Sequence, residues 1–419
     1  MNNRALQASR RLAVAVPLTL CLALFAAAAP DKSSFRVKHP KITAIQSPSL
    51  GKPVIARAGS DFELVVLNDV PGEVKKVYLT PAIEPARNVQ LDFARSGESE
   101  TTASYKVTIP AGAGDFLYDL SIETSDGATD TQPHSVKVVR EFLRDFRFAI
   151  LSDIHFGDAR GENFAPGGDF DTIRIKALQE ACGLNPEFVL LTGDAVSMPT
   201  NYKSEYEKAW RHFRDYCPAP LFIVPGNHDL YGLKKKGGVF MDGLDYWRAH
   251  FGPPYFHFDY GGMRFIGINN YDWPAEFRSG SNLRLMALSE SINTGNMGPA
   301  QFEWLKNTLK NTAGEKTIVP FAHLPLDEMR GGAAMADGKT IPGIRKEEII
   351  ELLRQFGVEY VFIGHWHHNE TKDLGGVRQV MTNTSGSVLY REEDRWGFNT
   401  VYVRGWKIAR IEFTEVDLR

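Results

Sequence analysis

A short apolar run that ends in three polar side chains constrains the fold of this chain more than any other stretch. Residues 221–224 are branched or aromatic, which predicts a buried β-strand. A Pro-Gly pair ends the strand and lets the backbone turn, and Asn227, His228 and Asp229 follow at once. Proteins that alternate strands and helices place their binding sites at the carboxyl ends of the strands. A turn capped by the asparagine and the aspartate would have the same letters, so the rest of the chain has to decide between these interpretations.

The pattern of a buried strand followed by polar residues occurs five times after residue 145. The predicted strands are 146–151, 188–191, 221–224, 317–322 and 360–363. Stretches between them predict helices at 172–181, 202–216, 299–310 and 345–356. This alternation predicts a layered α/β fold. Because the early units are about as long as a strand–helix–strand repeat, we expect a parallel sheet that brings all five strand ends to one edge.

The polar residues at the strand ends are of the types that bind metal ions. Seven candidates result, namely Asp153, His155, Asp194, Asn227, His323, His365 and His367. Asp153 and His155 lie two apart, as do the last two histidines, and residues two apart on an extended chain point the same way. Any one cluster could be structural, but five are hard to explain as caps and buried polar groups. Seven ligands suit two ions, and mixed carboxylate, amide and imidazole ligands favour Mn, Fe or Zn over Ca or Mg.

As an ordered set, Asp-x-His, Gly-Asp, Gly-Asn-His-Asp, a single His and Gly-His-x-His resemble the calcineurin-like metallophosphoesterase family over residues 146–413. The resemblance implies a metallophosphoesterase-type layered α/β sandwich with a dinuclear metal centre. It implies that one ion is bound by Asp153, His155, Asp194 and His367. It implies that the other ion is bound by Asp194, Asn227, His323 and His365, so that Asp194 bridges the two. His228 would bind no metal and would lie over the phosphoryl group as an acid or charge stabiliser.

The resemblance also implies an activity, a metal-dependent phosphoric ester hydrolase. Two cations clamp the phosphate oxygens and activate a shared water or hydroxide that attacks phosphorus. We expect a small phosphate mono- or diester as substrate: a nucleotide, a sugar phosphate or a phospholipid head group. The alternative is a non-catalytic binding or scaffold protein that reuses the fold, which predicts missing ligands. Purple acid phosphatases have a glycine and a tyrosine ligand where this chain has His155 and Ser197, so we expect no purple Fe(III) centre.

Residues 36–140 predict a separate β-sandwich, because short alternating runs are divided by turn signals. The runs are 61–68, 73–80, 88–94, 102–109, 115–123 and 135–140. The motif Leu117-Tyr118-Asp119-Leu120 resembles the tyrosine corner of immunoglobulin-like and fibronectin-type domains. We expect a packing and spacing module, the alternative being a module that binds a wall or surface polymer. The short charged segment 141–145 predicts that this domain is docked on the domain at 146–413.

Residues 1–29 have the charged, apolar and small-residue order of a secretory signal peptide. We therefore expect an exported protein (periplasmic, at the cell surface or secreted) with no stable transmembrane segment after processing. The Sec and twin-arginine routes both stay open. Export permits a disulfide between Cys182 and Cys217, which their spacing alone leaves undecided. The formal net charge of −3 provides no basic footprint for a nucleic acid polymer.

Three features beside the motifs stay open. Asp229 could orient His228 or be solvated. Tyr271 and Trp273 could stack on a base or sugar of the substrate or pack in the core. The lysines at 234–236 could attract anions or lie in a solvated loop.

Overall fold

The computed structural model describes residues 44–70, 72–83, 87–158, 170–198, 201–234, 240–275, 277–278, 294–334 and 340–418. The predicted signal peptide at 1–29 and the lysines at 235 and 236 lie outside these residues. All described residues belong to one compact unit. None of the helices in these ranges is long and apolar enough to span a bilayer.

Eight strands are described before residue 140. They are β1 (Ile45–Ser47), β2 (Val54–Arg57), β3 (Asp61–Leu67), β4 (Val74–Pro81), β5 (Val89–Glu98), β6 (Thr102–Thr108), β7 (Leu117–Thr124) and β8 (Thr129–Val139). They are hydrogen-bonded in the order β1-β3-β6-β5-β4-β7-β8-β2. The long β5 pairs with β4 near its start and with β6 along the rest of its length. Alternating side chains such as Leu64, Val77 and Leu120 fill a core of their own, as period-two patterning predicts. The assignment of these strands to an immunoglobulin-like domain stays a prediction.

The segment between β1 and β2 is packed against the α/β region. The Ile223 amide donates to the Gly51 carbonyl at 2.9 Å, and the Ser49 hydroxyl donates to the Phe251 carbonyl at 2.7 Å. Leu50 is buried in a core cluster of the following α/β region. These contacts agree with the docking that the short charged connection predicts.

Fifteen further strands are described after residue 145. They are β9 (Phe146–Leu151), β10 (Val189–Leu191), β11 (Leu221–Ile223), β12 (Gly232–Lys234), β13 (Phe240–Asp242), β14 (Phe256–Tyr260), β15 (Met263–Gly267), β16 (Thr317–Phe321), β17 (Gly332–Ala334), β18 (Thr340–Pro342), β19 (Tyr360–Ile363), β20 (Glu370–Asp373), β21 (Arg378–Met381), β22 (Gly397–Arg404) and β23 (Lys407–Glu415). The described helices are α1 (Phe170–Gly183), α2 (Tyr202–Tyr216), α3 (Asn227–Leu230), α4 (Gly243–His250), α5 (Pro299–Lys310) and α6 (Lys346–Gln355), with a 3-10 turn at Leu326–Glu328.

The expectation of one sheet for all five strand ends is wrong. The first three strands with polar ends lie in a five-stranded sheet, β11-β10-β9-β22-β23, and the last two lie in a six-stranded sheet, β14-β15-β16-β19-β21-β20. In the first sheet β9, β10 and β11 are parallel, and in the second β15, β16, β19 and β21 are parallel. The hairpins β12–β13 and β17–β18 stand apart from both sheets.

An apolar core with many aromatic side chains joins the two sheets. Phe148 and Phe188 of the first sheet and its flanks contact Phe265 of the second, with ring centroids 5.3 and 4.9 Å apart. Phe222 on β11 stacks on Phe258 on β14. Helices α1 and α2 contribute to a second cluster with the first sheet, and α5 and α6 contribute to a third with the second sheet. The result is a layered α/β sandwich in which two buried sheets bring their polar strand ends together.

Candidate metal centre

The polar residues leave their strands in a tight left-handed backbone. Asp153, His155, Asp194, His365 and His367 have φ values between 51° and 85°, a region that non-glycine residues seldom occupy. We expected side chains two residues apart to point the same way because the chain would be extended there. That reason is wrong, because these residues have positive φ values. Asp153 and His155 still converge on one ligand group, whereas His365 and His367 belong to different groups. Such strained conformations persist where the surrounding structure holds them.

Glycines in two motifs make room for the neighbouring carboxylates. A Cβ on Gly226 would lie 2.1 Å from Oδ1 of Asp194, and one on Gly364 would lie 2.6 Å from Oδ2 of Asp153. These separations are shorter than any real contact of a Cβ atom. The glycines that the motifs contain are thus explained by close packing of the strand ends.

One group of ligand atoms contains Asp153, His155 and His367, and these atoms lie within 4.8 Å of one another. Nε2 of His367 is 3.2 Å and Nε2 of His155 is 3.7 Å from Oδ1 of Asp153. The His367 ring is held by its Nδ1, which is 2.6 Å from the Val388 carbonyl. The other oxygen of Asp153 accepts a hydrogen bond from the His365 amide. One carboxylate oxygen and two imidazole nitrogens thus face a common point.

A second group contains Asp194, His323 and His365. Nε2 of His323 is 3.2 Å from Oδ2 of Asp194 and 3.1 Å from Oδ1 of Asn227. Nδ1 of His323 contacts the Thr192 carbonyl at 2.7 Å, which directs Nε2 into the group. The asparagine amide is oriented in turn, because its Nδ2 donates to the Tyr231 hydroxyl.

Asp194 lies between the two groups. Its Oδ2 is 3.3 Å from Nε2 of His155 and 3.2 Å from Nε2 of His323. A third possible ligand group, formed by His155, Asp194 and His228, overlaps both others. All seven predicted ligands are therefore brought together, from two sheets, with a carboxylate at the centre.

Burial and charge prepare these atoms for cations. The Oδ1 atom of Asp153, both ring nitrogens of His155 and Nε2 of His365 are buried and form no hydrogen bond with a described residue. Burial lowers the pKa of His155 to about 4 and that of His365 to about 3. Both imidazoles are thus neutral at pH 7, which is the form that binds a metal. Buried polar atoms without partners are costly, and a bound cation would satisfy them.

The pKa values of the two carboxylates, Asp153 and Asp194, are lowered by neighbouring histidines. Burial alone would raise the pKa of Asp194, but the nearby His323, His228 and His155 hold it well below its usual value. The pKa of Asp153 is likewise low, because His367 and His323 outweigh the desolvation. Both side chains are therefore ionised at neutral pH. The donor set of two carboxylates, one amide and four imidazoles fits transition-metal ions.

His228 lies at the edge of this cluster and is half-buried. Its ring centroid is 4.7 Å from that of His155, its Nδ1 contacts the Ser197 carbonyl at 2.7 Å, and its amide donates to Oδ1 of Asp194. The backbone and one ring nitrogen are thus held, and Nε2 remains as the atom that can face a substrate.

Asp229 neither orients the His228 ring nor lies in solvent. It is buried and accepts hydrogen bonds from the amides of Gly226 and Val196 at 2.8 and 2.9 Å. Burial, with the nearby Asp194 charge, raises its pKa to about 8. Its carboxyl group ties the loop after β10 to the loop after β11, a structural role.

Several supporting residues escaped the sequence analysis. Thr384 donates through its hydroxyl to the Asp153 carbonyl at 2.6 Å, and the Ser385 amide donates to the Ser152 carbonyl. Both lie in the polar run Asn-Thr-Ser-Gly-Ser that follows β21. That run is a sixth polar cluster at a strand end, and the same reasoning could have singled it out. Arg174 had no such signal, because a buried arginine on a helix looks like a surface residue in the sequence.

Burial decides the question about the two aromatic residues, while the question about the lysines at 234–236 stays open. Tyr271 and Trp273 are buried in the core, so neither is available to stack on a substrate. The sulfur atoms of Cys182 and Cys217 lie 3.2 Å apart as free thiols.

Comparisons with known proteins agree with this geometry. A family model described as calcineurin-like phosphoesterase matches residues 146–369, just over half of the chain. The serine/threonine-protein phosphatase CPPED1 of Mus musculus is 27% identical over 286 residues, which cover 64% of this chain and 84% of that protein. The protein of the same name from Danio rerio is 27% identical over 224 residues, 52% of this chain and 65% of that protein.

Solved structures that match part of this chain include two phosphatases. A dimetal phosphatase from Danio rerio is 16% identical with a TM-score of 0.45, and covers 65% of this chain and 99% of its own. A purple acid phosphatase from yellow lupin (Lupinus luteus) seeds is 13% identical with a TM-score of 0.44, and covers 87% of this chain and 74% of its own.

The family match, the curated phosphatases and the converging ligand groups confirm the expected activity class, a metal-dependent phosphoric ester hydrolase. The chain belongs to the calcineurin-like phosphoesterase family.

Proposed function

We propose that this protein is an exported phosphoesterase that uses two metal ions to hydrolyse a small phosphate mono- or diester. The observation that carries the proposal is the overlap of three ligand groups, in which His155 belongs to two and Asp194 to two. One ion does not need seven ligands, and shared residues are what two neighbouring ions require.

The ligands divide between two positions around Asp194. Those proposed for the first ion are Asp153, His155, Asp194 and His367. Those proposed for the second ion are Asp194, Asn227, His323 and His365. When bound, such a pair of Mn, Fe or Zn ions neutralises phosphate charge and makes water more acidic. The neutral amide of Asn227 adds a ligand without adding negative charge, so the site keeps an attraction for an anionic phosphoryl group.

His228 is proposed to act on the substrate itself. Because its Nδ1 is held by the Ser197 carbonyl, Nε2 has a defined direction at the edge of the centre. From there it can donate a proton to the leaving oxygen or a hydrogen bond to a charged phosphoryl oxygen. Phosphoryl transfer depends mainly on positioning and charge neutralisation. A single hydrogen-bond donor beside the ligand cluster, Nε2 of His228, can therefore be sufficient.

The segment before residue 140 is proposed to be an immunoglobulin-like spacer at 36–140, and the catalytic domain to span 146–413. Tyr118 supports the first part, since its buried hydroxyl donates to the Gly114 carbonyl at 2.9 Å, the contact that defines a tyrosine corner. Export to the periplasm, the cell surface or the medium rests on the predicted signal peptide at 1–29.

The activity is tested with p-nitrophenyl phosphate and bis-p-nitrophenyl phosphate after loading with Mn, Zn or Fe. Because the curated relatives are named serine/threonine-protein phosphatases, a phosphoserine peptide joins AMP, a sugar phosphate and glycerophosphocholine in the screen. Hydrolysis of at least one ester by metal-loaded protein, and none after chelation, is expected. No hydrolysis with any metal would refute the proposal.

Two substitutions test the division of roles. His228→Ala should lower kcat by about 10²–10⁴-fold while the protein keeps its metal content by elemental analysis. Asp194→Ala should lose metal as well as activity, because it removes the shared carboxylate. His257, an exposed histidine on β14, offers a matched control, and His257→Ala should change neither quantity. Loss of metal from His228→Ala would show that this histidine is a ligand instead.

A further inference from the structure

Exposed large apolar side chains are uncommon among the described residues. They are Ile83, Leu143, Met198, Tyr390 and Leu418. Such groups on a surface call for an explanation mainly when they cluster beside a functional site. Two of the five, Met198 and Tyr390, sit on the loops that hold the candidate metal centre.

Tyr390 is stacked on one of the proposed ligands. Its ring centroid lies 4.9 Å from that of His367, with 23° between the planes, and 57% of the residue is exposed. One face of the tyrosine thus covers the imidazole while much of the ring stays accessible to solvent. An aromatic face at this position lies beside the candidate metal centre.

The loop that carries Tyr390 is firmly supported. The Val388 carbonyl contacts Nδ1 of His367 at 2.6 Å. The Ser387 hydroxyl donates to Asp158 at 3.0 Å, and the Ser387 carbonyl accepts a hydrogen bond from the Trp396 indole at 2.7 Å. Three contacts just before the tyrosine fix the course of the chain, so the ring is preorganised, which lowers the entropic cost of binding.

Met198 is the second exposed apolar group beside the centre, with 48% of the residue accessible. It directly follows Ser197, whose carbonyl holds His228, and its amide is anchored by the buried carboxylate of Glu205 at 2.8 Å. The rings of His228 and His367 both contact the ring of His155, with centroids 4.7 and 5.3 Å away. Met198 therefore belongs to the loop at one end of this row of imidazoles and Tyr390 to the loop at the other end, so the two side chains are separate features of the centre.

We propose that Tyr390 forms the subsite for the organic group of the substrate, and that this group is a planar aromatic ring such as an aryl group or a nucleobase. The inference rests on the proposed phosphoesterase function and narrows its substrate class. Aromatic rings favour offset-stacked or edge-to-face pairs, so a flat π-surface would gain a specific contact on the exposed tyrosine. A glycerol or lipid head group would gain little from this side chain.

The test compares substrates that differ only in the organic group. The values of kcat/KM for 1-naphthyl phosphate, glycerol 2-phosphate and glucose 6-phosphate are measured by release of inorganic phosphate from metal-loaded protein. Tyr390→Ala should lower the value for the naphthyl ester about tenfold, equal to about 1.4 kcal/mol, mainly through KM. The glycerol and glucose esters should change less than twofold. Tyr390→Phe should keep the wild-type preference, and Tyr390→Leu, which keeps bulk without the π-face, should lose most of it.

Two controls separate the subsite from the metal centre. Ile83→Ala changes an exposed apolar residue of the N-terminal segment and should leave all three values unchanged. Metal content of each Tyr390 variant shows whether His367 still binds. An equal loss for all three esters, or a loss of preference in Tyr390→Phe, would overturn the subsite while the phosphoesterase function stands. If the wild-type protein hydrolyses no ester with any metal, the proposed function fails and the subsite with it.

Discussion

Arg174 on α1 is expected to be the most sensitive supporting residue of the metal centre. Its guanidinium is buried, with 2% of the residue exposed. Nε donates to the carbonyls of Ile154 and Gly386 at 2.8 and 3.1 Å. Nη2 donates to the Asp158 carbonyl at 3.1 Å, and Nη1 to Asp171 at 2.9 Å. One side chain thus ties the loop that contains two proposed ligands to the polar loop after β21.

The size of the effect follows from these contacts. Arg174→Met keeps much of the apolar stem but leaves three buried backbone carbonyls without their donor. An unsatisfied buried acceptor costs about 1–3 kcal/mol, so at the lower end of that range the free energy of unfolding should fall by roughly 3–5 kcal/mol. Asp171 is not left as an isolated charge, because Lys208 still pairs with it. The variant should therefore fold, since native domains are stable by about 5–15 kcal/mol.

Urea unfolding followed by circular dichroism in the presence of a chelator measures this loss without a contribution from bound metal. Arg354 on α6, exposed and paired with Glu351 one turn away, provides the control. Arg354→Met should change the free energy of unfolding by no more than about 0.5 kcal/mol, since exposed ion pairs contribute little. If Arg174→Met lowers the free energy of unfolding by less than about 1 kcal/mol, the hydrogen bonds of Arg174 do not stabilise the fold as expected.

The same variant should bind metal more weakly. Ile154 lies between Asp153 and His155, so releasing its carbonyl frees the loop that presents both ligands. Loss of a group that orients ligands typically lowers metal affinity by about 10–100-fold. Titration against a competing chelator measures the change, and Arg174→Lys should lie between the wild type and Arg174→Met, because an ammonium cannot reproduce the planar fork of donors. Unchanged affinity in Arg174→Met would contradict this coupling.

Three further outcomes are expected. Burial raises the pKa of Asp130 to about 6, so the folded state binds more protons than the unfolded state between pH 4 and 6. The free energy of unfolding of the wild type, relative to that of Asp130→Asn, should therefore fall by on the order of 2 kcal/mol from pH 4 to pH 7. An equal difference at both pH values would contradict the assignment. Under mild oxidation the Cys182 and Cys217 thiols should form a disulfide across a 35-residue separation, seen as the loss of two hydrogens by mass spectrometry and as stabilisation by about 3–4 kcal/mol that a reductant removes; thiols that stay open to alkylation after oxidation would argue against it. Gly226→Ala should lose metal and activity together, because its Cβ would clash with Asp194, and normal metal content would show that the loop can move aside.

Local sequence patterns predicted most of the helices and strands. The helices at Tyr202–Tyr216 and Pro299–Lys310 and the strand at Tyr360–Ile363 agree with the predicted bounds, because apolar periodicity and helix-ending residues act within a few positions. The candidate metal ligands at the strand ends could also be predicted from the sequence, since Asp, Asn and His are ligand types in any fold. Confirmation of the family by the match to residues 146–369 follows from the same motifs.

Packing decided the features that involve distant residues. Two strands with similar apolar runs can lie in one sheet or in two facing sheets. Contacts between distant side chains, such as Phe148 with Phe265, stabilise the arrangement with two facing sheets. The polar run at 383–387 has the same strand-end pattern as the other five clusters, but its contacts with residues 152 and 153 join segments more than 200 residues apart. The fate of Tyr271, which the sequence left open, depended on burial.

The chain by itself determined which side chains could bind metal, at which strand ends they would stand, and that a layered α/β fold would carry them. These properties depend on residue type and on contacts close in sequence. Only the tertiary structure decided that proposed ligands from two sheets would meet around Asp194, that Asp229 would bind backbone rather than His228, and that Tyr390 would cover His367. Each of these depends on which surfaces pack together, and packing is set by the shape and burial of the whole core.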